Sequence, residues 1–296
     1  MTDYETLIDS SDRDAWLLMR RTGIGASDTA SIMRVPGAWG SPLSVAAEKL
    51  TDEEPKPMSE YQEAGLRLEQ TIAEWAAETI GDEEIETYEC SMFGKLCRSK
   101  KYPWMLATPD ALISNFGDRL DVPLQCKNTI YDWSGEIPPH VLVQVLHEMI
   151  VLNVDRGYAA TLQLGNRLRW GRVNRADHVD LERLIIEETG SFWEKIQNGN
   201  RIEPDGRKCT REAIAKLWPS EVGKEITLDG SFVALDAHRM ELLQDVKNAE
   251  EAADEIGNQI REAMRDAEVA YLSNGVTYTY KQGKRSRPLL RKAAKE

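Results

Sequence analysis

Apolar positions in the first two hundred residues follow two different periods, and each switch between them marks a change from helix to strand. Ala26–Met33, after the glycine pair Gly23 and Gly25, predicts a short helix with Ser27 or Asp28 near its N-cap. Residues 60–80 predict an amphipathic helix with Leu66, Ile72, Trp75 and Ala76 broadly on one side. Three strands are expected around 90–98, 104–114 and 120–128, the last two joined by a turn-rich loop at Ser114–Asp118. Pro138 and Pro139 open an apolar helix that reaches about Asn153, since proline is tolerated in a first turn. Strands at 157–164 and 167–174 flank Gly165-Asn166, and a helix covers about 177–198. This order predicts an α/β (α+β) core, a mixed central sheet flanked by helices, rather than a bundle.

Near residue 200 the pattern changes. Asn198–Lys208 reads as a linker, which divides the chain into a core over 1–200 and a helical extension over 201–296. In the extension, Leu235, Leu242, Val246, Ala249, Ala253, Ile256, Ile260, Ala263 and Ala267 form a narrow heptad seam. A single seam favours one helix packed on its own domain over a free coiled coil. A hairpin turning at Asn274-Gly275 and a basic tail close the chain.

Composition changes this picture little, but charge changes it more. The 296 residues carry 50 acidic against 37 basic side chains, a net charge of −13, which excludes a histone-like binder that is positive everywhere. No apolar run is long enough to span a membrane, and the N-terminus lacks the apolar region of a secretory signal. Cys90, Cys97, Cys126 and Cys209 form no CxxC pair, which fits reduced thiols in a cytoplasmic protein. The acidity is nonetheless segregated. Residues 82–89 hold five acids and no base, whereas 156–175 hold five arginines and no acid. Lys95–Lys101 has four cations in seven positions, and 281–296 has seven basic residues and one acidic. Each run alone reads as a solvated face, but several acid-free basic runs in so acidic a chain leave room for an anion-binding groove.

Four separated segments carry candidate chemistry: Arg21-Thr22-Gly23-Ile24-Gly25-Ala26-Ser27-Asp28; Gly65–Glu69; Ala107-Thr108-Pro109-Asp110; and Gln125-Cys126-Lys127. On a strand, residues 125 and 127 share a face, so both can look toward Asp110 on a paired strand. A hard divalent ion such as Mg²⁺ takes oxygen ligands, which an aspartate, a side-chain oxygen, a backbone carbonyl and waters can provide. A lysine beside it can position a water and offset charge on a phosphate. Alone, Asp110 reads as a turn residue and Lys127 as a solvated one. Their order along the chain reverses that.

Pro109-Asp110, a gap of fourteen residues and then x-x-Lys resembles the PD-(D/E)xK nuclease signature. The R-x-x-G-I-G-x-S-D opening, the G-x-x-L-E helix, A-T-P-D and the segment Pro138–Met149 are similar to the YqaJ/lambda-exonuclease branch of that clan. The resemblance implies a restriction-endonuclease-like core and a Mg²⁺-dependent (or Mn²⁺-dependent) exonuclease acting 5′-to-3′ on linear double-stranded DNA in phage-type recombination. It further implies a homotrimer, a single-strand annealing partner and action in the host cytoplasm. Carried over, Asp110 is the principal metal ligand, Cys126 a carbonyl ligand, Lys127 the water-orienting residue and Glu69 the supporting acid. Arg21 and Ser27 grip the terminal phosphate, and Gln144 is the glutamine of the helix that follows the lysine.

Gln125 departs from the pattern, which has a glutamate there. Its oxygen can ligate a metal but brings no charge, so Gln125→Glu is expected to tighten Mg²⁺ binding. Three readings stay open: an engineered change that spares DNA, a natural residue with retuned activity, or a DNA-end-binding protein that does not cut. A restriction-like endonuclease is a further alternative. Arg167 and Arg169 share a strand face that suits a phosphate track or, equally, a solvated edge. His140 and His147, seven residues apart without an HExxH pattern, read as core or surface positions rather than zinc ligands. Trp39, Trp104, Trp133 and Trp170 read mainly as core, with Trp133 the best placed to touch a base.

Overall fold

Two of the expected strands are broken in the middle, and those breaks divide the core into two sheets. The computed structural model describes residues 2–9, 11–52, 58–84, 88–115, 121–133 and 135–294. The first of its two units, Met1–Ser220, runs β1 (Tyr4–Asp9), α1 (Arg13–Arg20), β2 (Ile24–Gly25), α2 (Ala26–Ile32), α3 (Pro42–Leu50) and α4 (Glu60–Glu84). It continues β3 (Tyr88–Met92), β4 (Lys95–Ser99), β5 (Met105–Ala107), β6 (Ala111–Asn115), β7 (Asp121–Thr129), α5 (Pro139–Leu152), β8 (Arg156–Gln163) and β9 (Arg167–Asn174). A 3-10 turn (Arg175–His178), α6 (Val179–Gln197) and α7 (Lys208–Leu217) complete it.

The strand expected at 90–98 is β3 and β4, separated at Phe93-Gly94, where Gly94 has a positive φ of 54°. The strand expected at 104–114 is β5 and β6, separated at Thr108-Pro109-Asp110, where proline has no N–H to offer a ladder. The two breaks lie side by side, since the Phe93 N–H donates to the Asp110 carbonyl at 3.3 Å. One sheet has the order β3-β6-β7-β8-β9, with only β7 and β8 parallel. The other has the order β1-β4-β5-β2. The loop expected to join the strands around 104–114 and 120–128 falls largely on 116–120, outside the described residues.

α5 is the crossover that the parallel pair β7–β8 requires. It is apolar on most of its surface, and Val145, Leu146 and Met149 are fully buried in a core shared with Cys97, Met105 and Ala107 of the small sheet and Ala159 of the large one. α4 covers the opposite face of the large sheet through Ile72, Ala73, Ala76, Ala77 and Ile80, which meet Ile113, Leu124, Cys126 and Tyr158. The side of α4 differs from expectation. Its alanines let the helix lie close to the sheet, while Trp75 and Leu66 are exposed. Mixed sheets flanked by helices form the core, as the periodicities predict.

Residues 201–217 extend this unit beyond the expected boundary at 200. Ala213 of α7 packs with Leu43 and Ala47 of α3, and the Arg207 guanidinium donates to the Gly40 carbonyl at 2.6 Å. The second unit, Glu221–Glu296, contains α8 (Ser231–Met264), β10 (Val269–Tyr271), β11 (Thr277–Tyr280) and β12 (Leu289–Lys292). The hairpin turns at Asn274-Gly275 as expected, and part of the expected basic tail adds a third antiparallel strand. Within this unit the heptad seam is not covered. Leu235, Leu242, Val246 and Ile256 are all more than half exposed, and Met264 is the one buried residue of α8. Within its unit α8 has only a three-stranded sheet to pack on, too small to cover 34 residues of helix. Among the described residues no helix is long and apolar enough to cross a membrane.

His147 pins α5 to the small sheet. Its Nε2–H donates to the Leu106 carbonyl at 3.1 Å, so Nδ1 accepts from the Thr29 hydroxyl at 2.7 Å. It is a core residue and not a ligand. Burial pushes its pKa down from 6.5 to about 4. The unfolded chain therefore takes up this proton first, and stability that is complete above pH 6.5 is lost as the pH falls toward 4. Thermal unfolding across that window should show a falling Tm, and His147→Asn should flatten the fall.

Candidate active site

The break between β5 and β6 makes the site. β6 pairs with β7 from Ala111 opposite Leu124, so the ladder stops just as the chain reaches Asp110. On that side the backbone of Cys126 is left without a strand partner. Its N–H donates to Asp110 Oδ2 at 2.7 Å, and its carbonyl lies 3.5 Å from Gln125 Nε2. A carboxylate thus takes the place of the missing strand. Burial raises the Asp110 pKa, against the pull of Lys127, the Cys126 N–H and Gln125.

Asp110, Gln125, Lys127, Glu69, Ser27 and Gln144 all line one cleft of about 780 Å³. Glu69 arrives from α4 and is half-buried. Burial raises its pKa to about 7, with the Asp110 charge adding to the shift and Lys127 opposing it. Gln125 is buried and fully engaged. Its Nε2 donates to Asp110 Oδ2, and its Oε1 accepts from Gln144 Nε2 at 2.7 Å.

Arg21 is outside the cleft. Its guanidinium donates to Asp52 at 3.0 Å. Arg20 stands where the expectation put Arg21: its Nη2 donates to the Ser27 hydroxyl at 3.0 Å and its guanidinium stacks 4.8 Å from the Trp16 ring. The signal was available, since R-x-x-G counted back from Gly23 falls on Arg20. Arg167 and Arg169 are exposed on β9 and do not line the cleft. Register nevertheless aligns Lys127, Thr161 and Arg169 across three strands, so Arg169 shares the Lys127 face at about 10 Å, two strand spacings away. Trp133 is buried in the core, whereas Trp39 is 93% exposed at the cleft. Sequence reasoning also passed over Arg13 and Glu148, which line it, as does His140, read from the sequence as a core or surface position.

The glycine motif is held by charge as well as by fit. A Cβ on Gly23 would come within 2.7 Å of the Trp104 carbonyl, which already accepts from the Ile24 N–H at 2.7 Å. Asp28 accepts from the Gly25 N–H at 2.9 Å and pairs with Lys49 at 2.7 Å and Arg20 at 3.4 Å. Burial opposes its ionisation, but Lys49 and Arg20 outweigh burial and bring the pKa down to about 2.

Among the described residues, no three His, Cys, Asp or Glu side chains gather closely enough to hold a metal by themselves. The donors that do converge are oxygens of mixed type: the Asp110 carboxylate and the Cys126 carbonyl, with Glu69 and Glu148 in the same cleft. That set fits a hard divalent cation that keeps several of its waters, rather than zinc.

The chain is similar to viral recombinase domains. Residues 15–158 match the family model of the YqaJ-like viral recombinase domain. The chain is also 30% identical over 280 residues to the uncharacterized protein YqaJ of Bacillus subtilis (strain 168), covering 88% of this chain and 81% of that one. The protein belongs to the YqaJ/lambda-exonuclease-like family. Solved structures similar to it include the alkaline exonuclease LHK-Exo from Laribacter hongkongensis, at 16% identity over 63% of this chain and 93% of that one, with a TM-score of 0.48. The complex of LHK-Exo with dAMP has a TM-score of 0.49 at the same identity and coverage. SSO0001 is similar at 16% identity over 70% and 96% of the two chains, with a TM-score of 0.33.

Asp28→Asn would leave the Lys49 ammonium, 4% exposed, without its closest counter-charge. The expected cost is about 3–5 kcal/mol, read from urea unfolding of the full chain.

Proposed function

We propose that the protein is a divalent-metal-dependent exonuclease acting on linear double-stranded DNA, with Mg²⁺ as the working ion and Mn²⁺ able to replace it. The observation that carries this reading is the convergence of Asp110, clamped by the Cys126 N–H, with Lys127 and Glu69 in a cleft that also holds Arg20 and Ser27. Its acidic side chains suit a cation, and its arginines suit a phosphate.

Asp110 and the Cys126 carbonyl would hold the ion, and Glu69 would support it. When bound, the ion supplies a polarised water and neutralises charge that builds on the phosphate. Lys127, in the same cleft, would orient the attacking water or a phosphate oxygen by donating a hydrogen bond to it. Arg20, with Ser27 beside it, grips the terminal phosphate, and Arg13 extends the cationic wall across Trp16, whose ring lies 5.8 Å from its guanidinium. The 5′-to-3′ polarity, the homotrimer, the single-strand annealing partner and the host cytoplasm are proposed with it, on the strength of the family.

A second reading is a DNA-end-binding protein that does not cut. One observation favours it: the Gln125 amide nitrogen stands against Asp110, where the family pattern has a carboxylate.

Digestion of linear and closed-circular duplex DNA with Mg²⁺ or Mn²⁺ separates the readings. The exonuclease should degrade the linear form and spare the circle, and Lys127→Ala should slow it by about 10²–10³-fold. Equal, negligible digestion by both proteins would leave the end-binding module; cutting of the circle would point to an endonuclease.

A further inference from the structure

One carboxylate in the cleft has no use in this scheme. Glu148 is fully buried on α5, one helical turn after Gln144. Its Oε1 accepts from Gln144 Nε2 at 3.3 Å, and its Oε2 is buried with no hydrogen-bond partner. An unsatisfied carboxylate oxygen in a protein interior carries a large desolvation cost. An ionised carboxylate can only accept, and a protonated one would have a buried O–H with nowhere to donate. Neither state satisfies Oε2 from the protein side.

The neighbouring amides explain why position 125 does not meet this need. When ionised, Asp110 and Glu148 are the acceptor-only ends of one chain of hydrogen bonds. Gln144 must turn its NH₂ toward Glu148, and the same NH₂ donates to Gln125 Oε1. Gln125 is thereby held with its oxygen toward Gln144 and its nitrogen toward Asp110. To face a cation, the Gln125 oxygen would have to abandon Gln144 and turn against the Asp110 carboxylate. Glu148 has an oxygen free already, in the same cleft.

We propose that Glu148 supplies the second carboxylate of the divalent-metal site, moved from strand β7 to helix α5, directly or through one metal-bound water. This deepens the nuclease reading and rests on it. The substitution at 125 then costs the site no charge, because the acid comes from a different element. Gln125 and Gln144 become positioning residues that hold the two carboxylates apart when no cation separates them.

The test is Mn²⁺ binding by calorimetry on the full chain, with thermal unfolding in the absence of metal alongside. Glu148→Gln should weaken Mn²⁺ binding by roughly 10–100-fold without lowering the metal-free Tm, since it removes a buried acid and keeps the shape. Gln125→Glu should restore most of that loss in the Glu148→Gln background and gain much less in the wild-type chain. Asp110→Asn separates the two levels. If Asp110→Asn abolishes Mn²⁺ binding while Glu148→Gln binds like wild type, Glu148 is not at the metal and the nuclease reading stands. A Glu148→Gln protein that melts lower without metal and is not rescued by Gln125→Glu has lost a structural residue, which also overturns the proposal. If Asp110→Asn binds Mn²⁺ as the wild type does, both readings fall.

Discussion

Everything at the site follows from one hydrogen bond, the Cys126 N–H to the Asp110 carboxylate. β7 needs a partner on that side beyond Leu124, and β6 cannot extend to provide one because Pro109 and the change of sheet interrupt it. A buried backbone N–H without an acceptor costs roughly as much as a lost hydrogen bond, so a side-chain acceptor must stand there. An aspartate meets the need and brings a negative charge with it. The same geometry leaves the Cys126 carbonyl without a strand partner and sets Gln125 and Lys127 on the face of β7 that looks into the cleft. The strand break, the fixed acid and the lysine are therefore one structural event and not three separate features.

Charge then decides what the cleft can hold. Asp110, Glu69 and Glu148 are all raised in pKa by burial, and Asp110 adds to the shift of the other two. Lys127 opposes all three shifts but is a single cation. A divalent ion would settle this imbalance. In the same cleft, Arg20 is shared between Ser27 and the Asp28–Lys49 pair, so one ion network both folds the glycine motif and brings a guanidinium to the cleft. The net charge of −13 is no obstacle to a polyanionic substrate when cations line one wall.

How well the sequence could be read depended on how local each feature was. α5 was recognisable from its proline start and continuous apolar pattern, and β8 and β9 from the glycine turn between them. The order Glu69, Asp110, Gln125, Lys127 was readable because motif spacing survives without any knowledge of packing. The sheet breaks were harder, since a run of alternating residues looks the same whether it stays in one sheet or crosses into another. Arg20 was missed through the choice between adjacent arginines, which the R-x-x-G spacing back from Gly23 already separates. Trp133 and Trp39 were exchanged because an aromatic ring packs or stacks according to what surrounds it.

By itself, the sequence determined the helix and strand periods, the motif order and the missing acid at position 125, because these are properties of neighbours along the chain. Only the tertiary structure decided that two strands would be split between sheets and that the heptad seam of α8 would stay exposed. It also decided that Glu148 would arrive from another element in the cleft that Gln125 lines. Gln125 and Glu148 are separated by more than twenty positions, and no local pattern links them. Gln144 links them, because the parallel pairing of β7 and β8 demands a crossover, and that crossover helix must bury its apolar sides between the two sheets. Burial orients α5, and in orienting it brings a carboxylate back to the site that the strand had lost.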